Sequence, residues 1–97
     1  MPAYVVAYVA VKDPESMGRY ADAVTDVTLN HGGRYLFAGP GAEVLEGDWP
    51  GDGLAIIEFP TREAAQRWYE SAEYTEAKPL RQAAGPTAMV LTPEVPA

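Results

Sequence analysis

Cysteine is absent from this 97-residue chain, and histidine occurs once. The first absence excludes disulfides and thiolate metal sites and makes a reducing cytoplasm the expected setting. The second leaves His31 as the one imidazole, without a partner at ligand spacing, so no metal centre and no cofactor are expected. Basic residues are scarce too: 7 Lys and Arg stand against 14 Asp and Glu, for a formal charge of −7. A field of that sign repels phosphate backbones and no basic stripe offsets it, so neither nucleic acid nor an anionic membrane is an expected partner. The apolar run "AYVVAYVAV" at 3–11 falls far short of the roughly 20 residues that a membrane-spanning helix takes. The N-terminal "MPAYVVAYVAVKD" has neither a basic leader nor a small-residue cleavage site, so a signal peptide is not expected.

What is present is the composition of a globular chain, 47% apolar, of a length that suits a single domain over residues 1–97. The core of so short a chain is modest, and dimerisation would add useful apolar burial. Residues 3–11 alternate Tyr4, Val6 and Tyr8 with Val5, Val9 and Val11, which reads as a strand covered on both faces. A helix follows: Asp13 is its cap, Pro14 its first residue, and Met17, Tyr20, Ala21, Val24, Val27 and His31 share one side, with Gly32 as the left-handed stop. "RYLFA" is a second strand, interrupted by "GPGA" and expected to resume as "EVLEG". The loop "DWPGDG" turns the chain with proline and glycine, and Asp48 and Asp52 are placed to bond nearby amides. "LAIIEF" is a third strand, Thr61 caps a helix with Ala64, Ala65, Trp68 and Ala72 inward, a further helical piece breaks or starts near Pro79, and "PTAMVLT" is a fourth strand before a loose tail.

That order, βαββαβ, is the α+β pattern of ferredoxin-like folds, a four-stranded antiparallel sheet with the helices on one face. The polar alternation expected of the other, wetted face is missing from the first, third and fourth strands. Val5, Ile57 and Val90 are expected to face one way and Tyr4, Ile56 and Met89 the other. An apolar sheet face of that size is rare on a soluble monomer, so two copies should close face to face as a homodimer. Trp49 cannot be explained by turn chemistry, and a loop tryptophan needs cover for its ring, which the second protomer, the favoured reading, or the mouth of a pocket would supply. Tyr4, Trp49 and Met89 are therefore the candidates for the dimer interface.

Candidate chemistry rests on few residues. Glu58 interrupts "AIIEFP", where a buried carboxylate needs a partner; Arg34 and Arg81 are available, and a Glu–Arg pair could orient a carboxylate or other polar substrate. His31, at the end of the first helix, and Glu58 are the candidate catalytic groups, the alternatives being a helix-terminal hydrogen bond and a structural ion pair. Tyr8, Arg34, Glu58, Trp68 and Arg81 are the candidate ligand-binding residues, around a small apolar cavity with Glu58, Arg34 and His31 near its polar end. No phosphate loop and no nucleophile elbow is present.

The segments "DP" (13–14), Tyr20, "HGGRYL" (31–36), "LEGDW" (45–49), "IEFP" (57–60), "WYESAEY" (68–74) and "PLR" (79–81) occur in one order. Together they resemble the DUF1330 family of small bacterial proteins, over about residues 3–92. The resemblance implies a ferredoxin-like protomer of the dimeric α+β barrel group and no established activity. Related barrels include cofactor-free monooxygenases, isomerases and haem enzymes, an analogy of fold alone. Two departures stand out: Ala38 occupies a place where the family often has arginine, and Ser71-Ala72-Glu73-Tyr74 replaces a common Ser-Pro-Glu-Tyr. The resulting expectation is a dimer that binds a small organic molecule between sheet and helices. A cofactor-independent monooxygenase or isomerase, and a structural or regulatory dimer without ligand, are the alternatives.

Overall fold

The computed structural model describes residues 1–49, 51 and 53–96, so the turn role expected of Asp52 lies outside the described residues. The elements are β1 (Ala3–Val9), α1 (Pro14–Asn30), β2 (Arg34–Gly39), β3 (Gly53–Phe59), α2 (Arg62–Glu70), α3 (Ala72–Ala84) and β4 (Thr87–Leu91). The four strands form one antiparallel sheet in the order β2-β3-β1-β4, the arrangement of a ferredoxin-like fold.

Local chemistry sets the helix ends. Asp13 caps α1 by accepting from the Ser16 amide at 3.3 Å and the Ser16 hydroxyl at 2.7 Å, and Pro14 takes the first helical turn. The bonds from the Ser16 hydroxyl and then its amide hold the Asp13 carboxyl below the usual aspartate pKa. Gly32, at φ +86°, supplies the left-handed residue that ends the helix. Thr61 caps α2 through the Ala64 amide at 3.0 Å, and Ser71 caps α3 through the Tyr74 amide at 3.1 Å. Ser71 is extended, so this one residue divides α2 from α3.

Several expectations need correction here. Pro79 neither starts nor breaks a helix: it lies inside α3, whose start the Ser71 cap has already fixed. Pro79 and Thr75, whose carbonyl loses its helical partner, are both exposed, so water can take that carbonyl. Ala72 opens α3 and is exposed rather than turned inward. "EVLEG" forms no strand, because β2 and β3 end their pairing at Gly39 and Leu54 and the segment beyond finds no partner; Leu45 there is 90% exposed. The tail is tied down, not loose: the Thr92 amide donates to the Tyr4 carbonyl at 2.9 Å and the Val95 amide to the Pro2 carbonyl at 2.7 Å.

Strand register divides the side chains between two faces. Ala3, Val5, Ala7, Ile57 and Phe59 are buried under the helices, while Tyr4, Val6, Tyr8, Ile56 and Glu58 alternate onto the open face. On β4, Ala7 pairs with Met89 and Val6 with Val90. Met89 therefore packs against the core and Val90, 61% exposed, stands on the open face, the reverse of the expected facing. A slip of one residue inverts every facing along a strand, and only the pairing register fixes it.

The core centres on Phe59, Trp68, Tyr74 and Thr28, all fully buried. Thr28 organises its polar atoms. Its hydroxyl donates to the Val24 carbonyl at 2.9 Å and accepts from Trp68 Nε1 at 3.0 Å. Having spent its one proton, it can only accept from the Tyr35 hydroxyl, 3.0 Å away.

Candidate functional site

The rows of the sheet that face the helices differ in bulk. One row runs Tyr35, Ile57, Val5 and Leu91 across β2, β3, β1 and β4. The next runs Ala38, Ala55, Ala7 and Met89. Ala38 joins it only because β2 bulges between Tyr35 and Phe37, which turns position 38 rather than 37 toward the helices. Beyond this row Val9 pairs with Gly53, where a Cβ would come within 2.7 Å of the Val9 carbonyl oxygen, so no side chain can rise there. Three methyl groups and a glycine do not reach the underside of α1.

A cavity of about 520 Å³ results. Its floor includes Ala7, Ala55 and Ile57, its roof Met17, Tyr20 and Val24 of α1, and its rim Val11, Ala38 and Pro40. The lining is overwhelmingly apolar, as in small-molecule sites generally. Among the described lining residues Arg81 is the one that carries a charge.

Arg81 enters the lining from α3. It lies on the buried stripe of that helix, with Tyr74, Ala77 and Ala84, and is itself only 7% exposed. Among the described residues no side chain hydrogen-bonds or ion-pairs with it, and its Nε is buried without a partner. Close by, the hydroxyls of Tyr20 and Tyr74 lie 3.0 Å apart, and Tyr20 also lines the cavity. Burial first, with Tyr74 beside it, pushes the Tyr20 phenol well above the ordinary tyrosine range. Burial also raises Tyr74, against the opposing pull of the Tyr20 hydrogen bond and the Arg81 charge. The Tyr74 hydroxyl donates to Met89 Sδ, 4.0 Å away, so Tyr20 donates to Tyr74, and this end of the cavity offers a cation beside two phenols whose protons are already committed.

Of the residues singled out as ligand-binding, Arg81 alone lines this cavity. Trp68 is at 0% exposure in the filled core. Tyr8, Arg34 and Glu58 stand on or beside the open sheet face instead. There Glu58 accepts from Arg34 Nε at 3.1 Å and Nη2 at 2.9 Å, and from the Tyr4 hydroxyl at 3.2 Å. Desolvation and this bond to Glu58 raise the Tyr4 phenol. The expected polar end of Glu58, Arg34 and His31 is thus corrected: Glu58 sits between Ile57 and Phe59, which face the helices, and alternation sends it the other way. His31 caps the C-terminus of α1, its Nδ1 2.8 Å from the Val27 carbonyl, and does not line the cavity. Trp49 meets Tyr8 edge to face, ring centroids 5.6 Å apart, and Tyr8 pairs with Leu54 across β1 and β3.

Tyr20 as a polar cavity group, and the alanine row beneath it, escaped the sequence reading. The usable signals were Ala7 and Ala55 among β-branched neighbours and an arginine on an apolar helical stripe.

Comparison with known proteins agrees with this architecture. A protein of unknown function from Rhodopseudomonas palustris superposes with a TM-score of 0.76 at 22% identity, covering 99% of this chain and 84% of that one. A dimeric ferredoxin-like protein of unknown function from Jannaschia sp. CCS1 gives 0.71 at 14% identity, covering 98% and 100%. Another dimeric ferredoxin-like protein of unknown function, from Thermobifida fusca, gives 0.67 at 11%, covering 97% and 92%. At these identities the likeness is one of fold. No curated protein matches the chain. The profile of the domain of unknown function DUF1330 matches residues 2–95, nearly the whole length, and the chain belongs to that family.

Proposed function

We propose that the protein is a homodimer whose subunits each bind a small, mainly apolar organic molecule in the cavity under α1. The observation that carries the binding reading is the 520 Å³ space above the alanine row, which the chain's own side chains leave unfilled. Two similar folds described as dimeric support the assembly. So does the open sheet face, where Val90 is 61% and Phe37 44% exposed beside Val6, Ile56 and Tyr8. An apolar face of that kind is unusual on a monomer. The lack of cysteine fits a cytoplasmic setting, and the charge of −7 disfavours nucleic acid.

Two experiments test this. Native mass spectrometry after incubation with a metabolite extract should show a retained small molecule, and Ala55→Phe, which fills the cavity, should release it. Retention by the filled variant contradicts the cavity reading. Sedimentation equilibrium should give a dimer that Val90→Asp converts to monomer, and a wild-type monomer at micromolar concentration contradicts the assembly.

A further inference from the structure

We propose that the cavity is selective for organic anions, a carboxylate with an apolar body, and that Arg81 is the residue that recognises the charge. This rests on the binding reading above and names the ligand class for that site. Four observations converge on it. Arg81 is 93% buried (7% exposed) and lines the cavity. It has no ion-pair or hydrogen-bond partner among the described residues, and its Nε is buried and unsatisfied. Buried charges are ordinarily paired, and an arginine cannot escape the cost by losing its proton. Among the described residues that line the cavity there is no carboxylate.

A carboxylate supplies what this arrangement lacks. Its two oxygens match the guanidinium fork, with charge-assisted bonds about twice as strong as neutral ones. The rest of the ligand would lie over Ala7, Ala55 and Ile57, against Val24 and Met17. A chain carrying a net charge of −7 repels anions in general, so a preference for them must come from a local cation. Arg81 is that cation. A neutral polar ligand would instead accept a weaker bond and leave the charge uncompensated, and a cationic one would add a like charge beside it.

The test is isothermal titration at neutral pH with three probes that share one body: phenylbutyrate, phenylbutanol and phenylbutylammonium. Wild-type protein should bind the acid at least about tenfold more tightly than the alcohol, the cation being the weakest. Arg81→Met should reduce the acid to the affinity of the alcohol and leave the alcohol within about twofold of its wild-type affinity. Removing an unpaired buried charge should leave the melting temperature of the ligand-free variant unchanged or raised, and a fall would make Arg81 structural and overturn the proposal. Equal binding of acid and alcohol by the wild type also overturns it, whether or not the variant folds, and leaves the cavity reading standing. Failure of all three probes to bind at millimolar concentration, or undiminished binding by Ala55→Phe, overturns the cavity reading and this proposal with it.

Discussion

Between the helices and the sheet the molecule is filled at one end and hollow at the other, and the two ends are adjacent rows of the same strands. At the filled end Ala3 pairs with Phe59 and Val5 with Ile57, and Trp68, Tyr74 and Thr28 close over them. At the hollow end Ala7 pairs with Ala55 and Val9 with Gly53, and α1 spans a space of about 520 Å³. Packing at the first end supplies stability. Its absence at the second leaves the space proposed as the binding site. The difference is written in side-chain volume at fixed backbone geometry, two residues further along each strand.

Substitutions should separate the ends. The largest effect is expected from Trp68→Ala, which removes a fully buried indole and with it the donor to the Thr28 hydroxyl; urea unfolding should show a loss of about 3–5 kcal/mol. Adding bulk should act oppositely at the two ends. Ala3→Leu at the filled end should cost about 1–3 kcal/mol through overpacking. Ala7→Leu, pointing into the hollow, should be neutral or stabilise by up to about 1 kcal/mol, measured by the same unfolding curves. Equal losses in these two variants would erase the distinction. The smallest effect concerns how α1 is held over the hollow, where capping does what sheet packing cannot. Asp13→Ala should lower the melting temperature at neutral pH. Because the Asp13 carboxyl titrates below its unfolded value of about 3.9, the contribution is complete above that pH and disappears as pH falls through the lowered folded value. The gap between wild type and variant should therefore close on acidification below about pH 4.

Much of the fold was legible. Alternation in "AYVVAYV" and "LAIIEF", the Asp-Pro and Thr61 caps and the Gly32 stop each act within a few residues, and each appears where local chemistry puts it. The site was less legible, because it depends on pairing. Nothing near Met89 in sequence reveals that it stands opposite Ala7, which turns it to the helices and Val90 outward. Nothing near Ala38 reveals the bulge that aligns it with Ala55. Glu58 drew attention as a charge in an apolar run, yet its parity carries it to the open face, where Arg34 and Tyr4 satisfy it. Arg81 was visible as a candidate partner for Glu58, but its lack of a partner among the described residues was not: that is a property of what surrounds it in space.

The most direct measurement is methyl NMR on protein carrying labelled alanine, titrated with phenylbutyrate. Shifts concentrated in Ala7, Ala38 and Ala55, with Ala3, Ala65 and Ala77 unmoved, are the result this account requires. Shifts spread across the filled end, or confined to residues of the open sheet face such as Ala88, would contradict it.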